Sequence, residues 1–392
     1  MSLRDLIERC QHHPVLQPLA ERLAANGTPL FIVGGPVRDA LDGSPIDDLD
    51  VATAADPDTV AQFGQDLGTL SSVGATFGVT KINADEGDID IATFRTERYD
   101  DDSRNPTVEL VRDIATDLRR RDFTINAMAV RFDDTTLVDP YGGQDALRRR
   151  RLDTPSDPQV SFTDDPLRIH RAWRFAATRQ MTVAPRLIAA AHASQSRLSL
   201  IARERTTTEL LRVIDDPADV LAKAVEVMCL LGAHQSALEG VEPPEPDMLR
   251  GLADGETRLA ALTLHSDEPD RTLRAWKIDN DRRRRAVTVR QIVDRLASPG
   301  ELEMRRLVRH HDDDLLDSAE SLWRQSDDRP HEPFAAAREQ SEIWRQPLAV
   351  TGADLLARDG RRAGPWVGDA LRDLETQFLR TGKNPASARL RA

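Results

Sequence analysis

Cysteine is almost absent from this chain of 392 residues, which holds Cys10 and Cys229 and no others. Two thiols supply neither a disulfide framework nor a zinc site by themselves, so the small cross-linked scaffold and the zinc module are excluded. Aromatic residues are also scarce, at 4%, while charged residues make up 30%. That balance points to a polar, helix-rich, soluble protein. Long apolar runs are missing too: none approaches the roughly 20 residues of a membrane-spanning helix. The opening, MSLRDLIERC, is acidic and amphipathic, unlike a secretory signal or an Arg-rich transit peptide. The cytoplasm is the expected location, with no membrane partner. Lysine is confined to Lys81, Lys223, Lys277 and Lys383, so arginine carries nearly all the positive charge.

The net charge of -13 argues against a generic nucleic-acid binder. If RNA is the partner, basic residues must be clustered. Arginine runs do occur at 119–121, 148–151, 282–285, 305–306 and 361–362. Taken singly, most of them read as solvated helix faces.

The length allows two or more domains with their own cores. Residues 2–25 read as one amphipathic helix stopped at Asn26-Gly27. From 30 to about 140, short β-like runs (30–33, 48–53, 69–74, 78–83, 88–94 and 128–132) alternate with helical segments (36–42, 57–66 and 113–127), predicting a mixed sheet with helices. Beyond Asp139-Pro140-Tyr141-Gly142-Gly143 the helical period dominates. Pro/Asp-rich breaks at 153–158, 215–217, 241–247 and 326–333 divide that remainder into packets. The fold class is therefore α+β: a mixed-sheet head followed by an all-helical remainder.

Residues 31–53, FIVGGPVRDALDGSPIDDLDVAT, carry the densest chemistry. A strand leads to Gly34-Gly35, a helix starts near Pro36, and a second strand holds Asp48 and Asp50. Side chains alternate along a strand, so these two acids share one face and can hold Mg²⁺ against a triphosphate. The glycines let backbone approach phosphate, the helix dipole favours it, and Arg38 adds a fixed positive charge. Asp-x-Asp alone is common enough to be an acidic surface strand.

The strand DIDIATFR again places two acids, Asp88 and Asp90, on one face. Asp90 is the candidate third catalytic carboxylate, with Asp88 second. Next, RRDFTINAM (120–128) offers Arg121 for bidentate contact with phosphate oxygens and Asp122 to accept from a ribose hydroxyl. The intervening RTERYDDDSRNP, 95–106, reads by itself as a flexible, solvated loop.

In FTDDPLRIHRAWRF, 162–175, Pro166 suits the first turn of a helix. Asp165, Arg168, Arg171 and Arg174 recur every three residues and lie along one slowly turning face. The plain reading is an intrahelical salt-bridge ladder. The chemical reading is base selection. Cytosine and adenine both present an exocyclic amine beside an unprotonated ring nitrogen. Asp165 can accept from the amine and Arg168 can donate to the ring nitrogen, whereas uracil and guanine would face mismatched partners. Arg171 and Arg174 would then face the base or the phosphates.

Taken together, the Gly-Gly turn with its Asp-x-Asp strand, RRDFTINAM and the Asp-Asp-x-x-Arg helix start resemble the class II polymerase-β-like nucleotidyltransferases. That group contains CCA-adding tRNA nucleotidyltransferases and bacterial poly(A) polymerases. The resemblance is strong over 30–215 and weaker over 258–295 and 351–370. It implies metal-binding Asp48 and Asp50, with Asp90 beside them as a catalytic acid. It implies a nucleotide site of Gly35, Arg38, Arg121, Asp122, Asp165, Arg168, Arg171 and Arg174. The implied cofactor is Mg²⁺, and the implied substrates are CTP, ATP and the tRNA 3′ end. A loop at 95–106 is implied to help switch from C to A addition, against a CC-only enzyme. Residues 202–211 (ARERTTTELL) resemble the neck motif that supports the nucleotide-binding helix. TGADLL and GPWVG, 351–368, resemble a tail element of many CCA-adding enzymes. Departures are Pro36 for the usual small residue, Asp47 for a frequent Lys and Asp164 for the usual Glu. The division implied is head 1–145, neck 146–215, body 216–300 and tail 301–392. The body stands where some relatives carry a His-Asp phosphohydrolase site, but His265-Ser266-Asp267 has no upstream histidine set, and no such activity is expected. The alternatives are an A-adding-only enzyme, a poly(A) polymerase and, from a different class, a non-catalytic RNA-binding protein.

Overall fold

The computed structural model describes residues 2–46, 49–71, 78–84, 87–98, 107–216, 219–297, 300–326 and 332–385; for 87, 88, 97, 98 and 326 it describes the backbone alone. Two compact units emerge, Met1–Glu209 with Glu226–Ala237, and Leu210–Val225 with Leu238–Ala392. The expected head and most of the expected neck fall in the first.

That first unit opens with two helices, α1 (Leu3–Gln11) and α2 (Leu16–Ala25), where the sequence pattern predicts one. The break has a local cause. Pro14 cannot donate to a continuing helix, and the His13 ring takes the freed Val15 and Leu16 amides at 3.2 and 3.4 Å.

The sheet follows: β1 (Leu30–Val33), α3 (Gly35–Asp42), β2 (Asp50–Thr53), α4 (Pro57–Gly64), β3 (Thr69–Ser71), β4 (Val79–Ala84), β5 (Gly87–Thr93), then β6 (Arg95–Arg98) and β7 (Thr107–Leu110). After α5 (Ile114–Arg119) and a 3₁₀ turn at Thr124–Asn126 come β8 (Ala129–Arg131), β9 (Leu137–Val138), α6 (Gly143–Arg148) and β10 (Arg151–Leu152). Among the described residues the main sheet has seven strands in the order β3-β4-β5-β2-β1-β8-β9. Only β2 and β5 run parallel within it; every other pairing is antiparallel. Phe31, Val33, Ala52, Phe94, Leu118, Ala127 and Ala129 form a core on one face.

Two expectations change here. The helix expected over 113–127 stops at Arg119, because the Asp122 carboxylate takes the Phe123 amide at 2.8 Å and Phe123 is extended, with φ -130°. The expected loop 95–106 begins as a strand: Arg95–Arg98 pairs antiparallel with Thr107–Leu110. Residues 99–106 lie outside the described residues.

The remainder is helical except for β11 (Thr182–Val183), which pairs parallel with β10. In the first unit, α7 (Pro158–Asp164), α8 (Leu167–Thr178) and α9 (Pro185–Ala193) precede α10 (Arg203–Ile214), whose early turns belong to that unit; the later part of α11 (Leu221–Leu230), from Glu226, and α12 (His234–Ala237) also belong to it. Trp173, fully buried, anchors α8.

The second unit runs through α13 (Gly255–Leu262), α14 (Pro269–Ala275), α15 (Asn280–Leu296), α16 (Glu301–His310), α17 (Asp313–Ser326), α18 (Glu332–Glu339), α19 (Ser341–Trp344), α20 (Gly352–Asp359) and α21 (Pro365–Thr381). Its arginine runs are substantially matched by acids: Arg282 pairs with Asp215 at 2.6 Å and Arg283 with Asp270 at 3.0 Å. His265 bonds the Glu242 carbonyl at 3.1 Å. Among the described residues no three His, Cys, Asp or Glu side chains gather to hold a metal, and no helix is long and apolar enough to cross a membrane.

Candidate active site

The turn between β1 and α3 is built on Gly34. Its φ of +72° and ψ of -122° suit glycine. A Cβ there would also stand 2.5 Å from Arg121 Nη1. Glycine is thus required twice, once for the turn and once so that a guanidinium can lie against it. Gly35 is under no such demand, its nearest neighbour being Arg38 Nη2 at 3.8 Å.

Asp50 on β2 and Asp90 on β5 are direct partners across the parallel pair. They occupy the same rung and the same face of the sheet, and both line a cavity of about 540 Å³. Lys81, opposite Asp90 on β4, brings its ammonium to 4.0 Å from that carboxylate. Asp48 lies outside the described residues, as does the Asp88 side chain. Hard carboxylate oxygens on one rung fit a divalent cation whose shell is completed by phosphate oxygens.

The same cavity is lined by Arg38, Arg120, Arg121, Arg168, Arg171 and Arg205, and by Asp122 and Asp165 in addition to Asp50 and Asp90. Among the described lining residues six guanidiniums stand with four carboxylates, an arginine-rich wall suited to phosphate oxygens. Arg120 and Arg121 are set from behind by the buried Asp117, at 2.8 and 3.5 Å. Burial pushes the Arg121 guanidinium below its ordinary value, and Asp117 works against that; arginine keeps its charge nonetheless. Its Nε is buried with no protein partner.

Arg38 is buried. Asp39 grips it at 2.9 and 2.7 Å, and Asn126 Oδ1 accepts from its Nη1 at 2.5 Å. Asn126 Nδ2 in turn donates to Asp122 Oδ1 at 2.9 Å. Asp122 Oδ2 accepts from Arg171 Nε and Nη2 at 2.8 and 2.6 Å. Burial raises the Asp122 carboxyl, but Arg171 and Asn126 outweigh it and hold the group below its ordinary value. Arg171 also approaches the buried Glu209 at 3.9 Å, and Glu209 accepts from Arg174. Arg38, Arg171 and Arg174 stand 5.3, 5.4 and 4.1 Å from the centre of the Phe175 ring.

Asp165 sits at the junction of α7 and α8, where its carboxylate takes the Leu167 amide at 3.2 Å and lies 3.5 Å from Arg205. Arg168 is held by Ser161 Oγ at 2.7 Å and the Arg120 carbonyl at 2.6 Å. The structure thus brings Gly35, Arg38, Asp50, Asp90, Arg121, Asp122, Asp165, Arg168 and Arg171 to one cavity. Arg174 is not among its lining residues and turns to Glu209 and Phe175. Sequence reasoning gave no individual role to Asn126 or Arg205. The first had a signal, lying four residues beyond Asp122; the second lies in the neck-like ARERTTTELL segment, which pointed to support of the nucleotide-binding helix and not to this side chain's place in the cavity.

An arginine-lined cavity opening on a rung of carboxylates beside a glycine turn fits the class of nucleotidyltransferases. Residues 30–153 match the poly A polymerase head domain, and residues 254–383 match the domain described as tRNA nucleotidyltransferase domain 2, putative. The CCA-adding enzyme of Levilactobacillus brevis is 32% identical over 98% of this chain and 97% of its own. That of Geobacillus stearothermophilus is 32% identical over 90% of this chain and 89% of its own. The crystal structure of the Bacillus stearothermophilus CCA-adding enzyme in complex with CTP superposes with a TM-score of 0.71 at 27% identity, covering 95% of both chains. The Thermotoga maritima CCA-adding enzyme complexed with tRNA shares the fold, with a TM-score of 0.67 at 19% identity over 97% of this chain and 94% of its own. The chain belongs to the family of CCA-adding enzymes. Membership of a nucleotidyltransferase family implies dependence on a divalent metal, which the donor set fits.

Proposed function

We propose that this protein adds C, C and A in turn to the tRNA 3′ end from CTP and ATP, without a nucleic-acid template, in the cytoplasm and with Mg²⁺ as the metal. The observation that carries the reading is the placement of Asp165 and Arg168, beside Arg171, in the same cavity as the Asp50–Asp90 rung. An acceptor and a donor on one wall match the edge shared by cytosine and adenine and mismatch uracil and guanine.

In this reading Asp48 and Asp50 hold the metal, which supplies charge neutralisation at the transferring phosphoryl. Asp90 takes the proton of the attacking 3′-hydroxyl. Gly34-Gly35 and Arg121 cradle the triphosphate, and Arg38 adds charge from below. Asp122 orients the ribose, and Arg171 aligns the base with Arg174 behind it. The head, neck, body and tail divide the work into chemistry, base choice and RNA contact.

The test is nucleotide-resolved extension of three tRNAs that end before CCA, after CC and after CCA, each offered CTP, ATP or both. Addition of C, C and A followed by arrest is expected. Growth only from the CC end would mean a dedicated A-adder, and an unlimited A ladder a poly(A) polymerase. No extension with retained tRNA binding would leave a binding protein.

A further inference from the structure

Asn126 occupies the midpoint of a continuous chain of polar contacts that spans the cavity. On one side its Oδ1 accepts from Arg38 at 2.5 Å; on the other its Nδ2 donates to Asp122 at 2.9 Å. Arg38 is continued by Asp39, and Asp39 by Arg179 at 2.7 Å. Asp122 is continued by the double contact from Arg171, and Arg171 by Glu209. The two ends differ in kind. Arg38 belongs to the helix after the glycine turn, the phosphate side; Arg171 belongs to α8, the base side. One carboxamide is the shortest hydrogen-bonded link between them.

The amide is suited to this place in a way no other side chain of its size is. Arg38 offers only donors and Asp122 offers only acceptors. A bridge between them must accept on one arm and donate on the other. A carboxylate would satisfy Arg38 and repel Asp122. An aliphatic group would satisfy neither and leave both charges buried and short of a partner. The orientation of the amide is therefore fixed by its two neighbours. The 3₁₀ turn at Thr124–Asn126 places it, with Phe123 and Ile125 fully buried and pinning the turn from below.

We propose that Asn126 is a positioning residue that couples the phosphate-side Arg38 to the base-side pair Asp122–Arg171, so that base selection depends on an amide that touches no base. The inference rests on the proposed assignment of the two sides of the cavity. Losing the amide leaves Asp122 Oδ1 with the Phe123 amide but without its tie to Arg38, so the carboxylate, and Arg171, which donates both Nε and Nη2 to Asp122 Oδ2, are held less narrowly. Arg38 loses the hydrogen bond that, among the described residues, ties it to a side chain outside α3.

The experiment compares kcat/KM for CTP and for UTP in the wild type, in Asn126→Ala and in the isosteric Asn126→Asp, on tRNA lacking CCA. The ratio of the two constants is independent of how much of a preparation is folded, so it separates positioning from stability. The expected result is a fall of the CTP/UTP ratio by about tenfold or more in both variants, the scale of one lost charge-assisted bond, with KM for CTP raised. A ratio equal to that of the wild type in either soluble variant overturns the proposal, whatever happens to the rate. A raised KM with an unchanged ratio also overturns it, by confining Asn126 to the phosphate side. Absence of transfer by the wild type itself would instead strike the proposed function, which keeps the two failures apart.

Discussion

Asp50 and Asp90 face each other across the parallel pairing of β2 and β5 in the head sheet, at the same rung. Adjacent rung partners bring their side chains to about 5 Å, close enough for both carboxylates to address one cation or one reacting oxygen. Lys81 reaches Asp90 from the other side.

Two substitutions separate the roles on this rung. Asp50→Asn is expected to reduce CMP transfer by at least ~10³-fold while tRNA affinity stays within about twofold, since chemistry and not RNA contact is removed. Asp90→Asn should lower the rate and also flatten its rise with pH if Asp90 takes the hydroxyl proton. Single-turnover transfer and filter binding read both. An Asp50→Asn enzyme with normal turnover would sink the metal assignment.

Gly34 is the second place where a small change should be costly. Gly34→Ala imposes a side chain at φ +72° and drives a Cβ against Arg121 Nη1. A stability loss of about 1–3 kcal/mol is expected, together with a rise of roughly tenfold or more in KM for CTP as Arg121 is displaced. Gly35→Ala is the control for the stability loss, because its Cβ meets only an ordinary contact. Thermal unfolding of the pair, with steady-state kinetics on Gly34→Ala, decides the matter; equal stability of the two variants would refute the packing argument.

Much of this site is legible in the sequence because its parts are local. The glycine turn, Asp50, the RRDFTINAM turn and the Asp165–Arg168 helix start are each contained in a short segment whose spacing follows from strand or helix geometry. Their meeting in one cavity is not local. It follows from the β2–β5 pairing, which the strand pattern does not specify, from the packing of α8 against the RRDFTINAM turn, and from the contacts of α10 with α8. That is why Asn126 stands out only when Arg38, 88 positions away, is seen to touch it. The overestimated helices have side-chain causes, His13 with Pro14 in one case and Asp122 in the other, because a side chain that caps a backbone amide competes with helix continuation.

Glu209 extends the same logic to stability. It is 3% exposed and lies between the guanidiniums of Arg171 and Arg174. Removing the acid of a buried ionic cluster leaves its positive charge under-compensated, even with Arg171 still held by Asp122. Glu209→Ala is expected to cost about 3–5 kcal/mol in urea unfolding without nucleotide, and Glu209→Gln distinctly less, because the amide still accepts one bond. A loss under about 1 kcal/mol for the alanine variant would mean that the arginines find other partners.

His170 makes the acid limb of the stability curve a further test. The ring is fully buried in α8, with Nδ1 accepting from Trp173 Nε1 at 3.1 Å and Nε2 3.3 Å from Ser236 Oγ. Burial, reinforced by the charge of Arg203, pushes its pKa from 6.5 down to about 3. The folded protein therefore refuses a proton that the unfolded chain accepts. Between those two values the unfolded state binds more protons, so stability rises with pH across that window and is lost as pH falls below about 6.5. The slope contributed by this one ring approaches about 1.4 kcal/mol per pH unit; above pH 6.5 it contributes nothing further. His170→Gln keeps an acceptor for Trp173 and a donor for Ser236 but does not titrate. Its unfolding free energy, measured in urea from pH 7.5 to 5, should fall less steeply than that of the wild type by nearly that slope at the acid end. Parallel curves for the two proteins would show that the ring gains its proton in the folded state, and the reading of a neutral, sealed imidazole would fail.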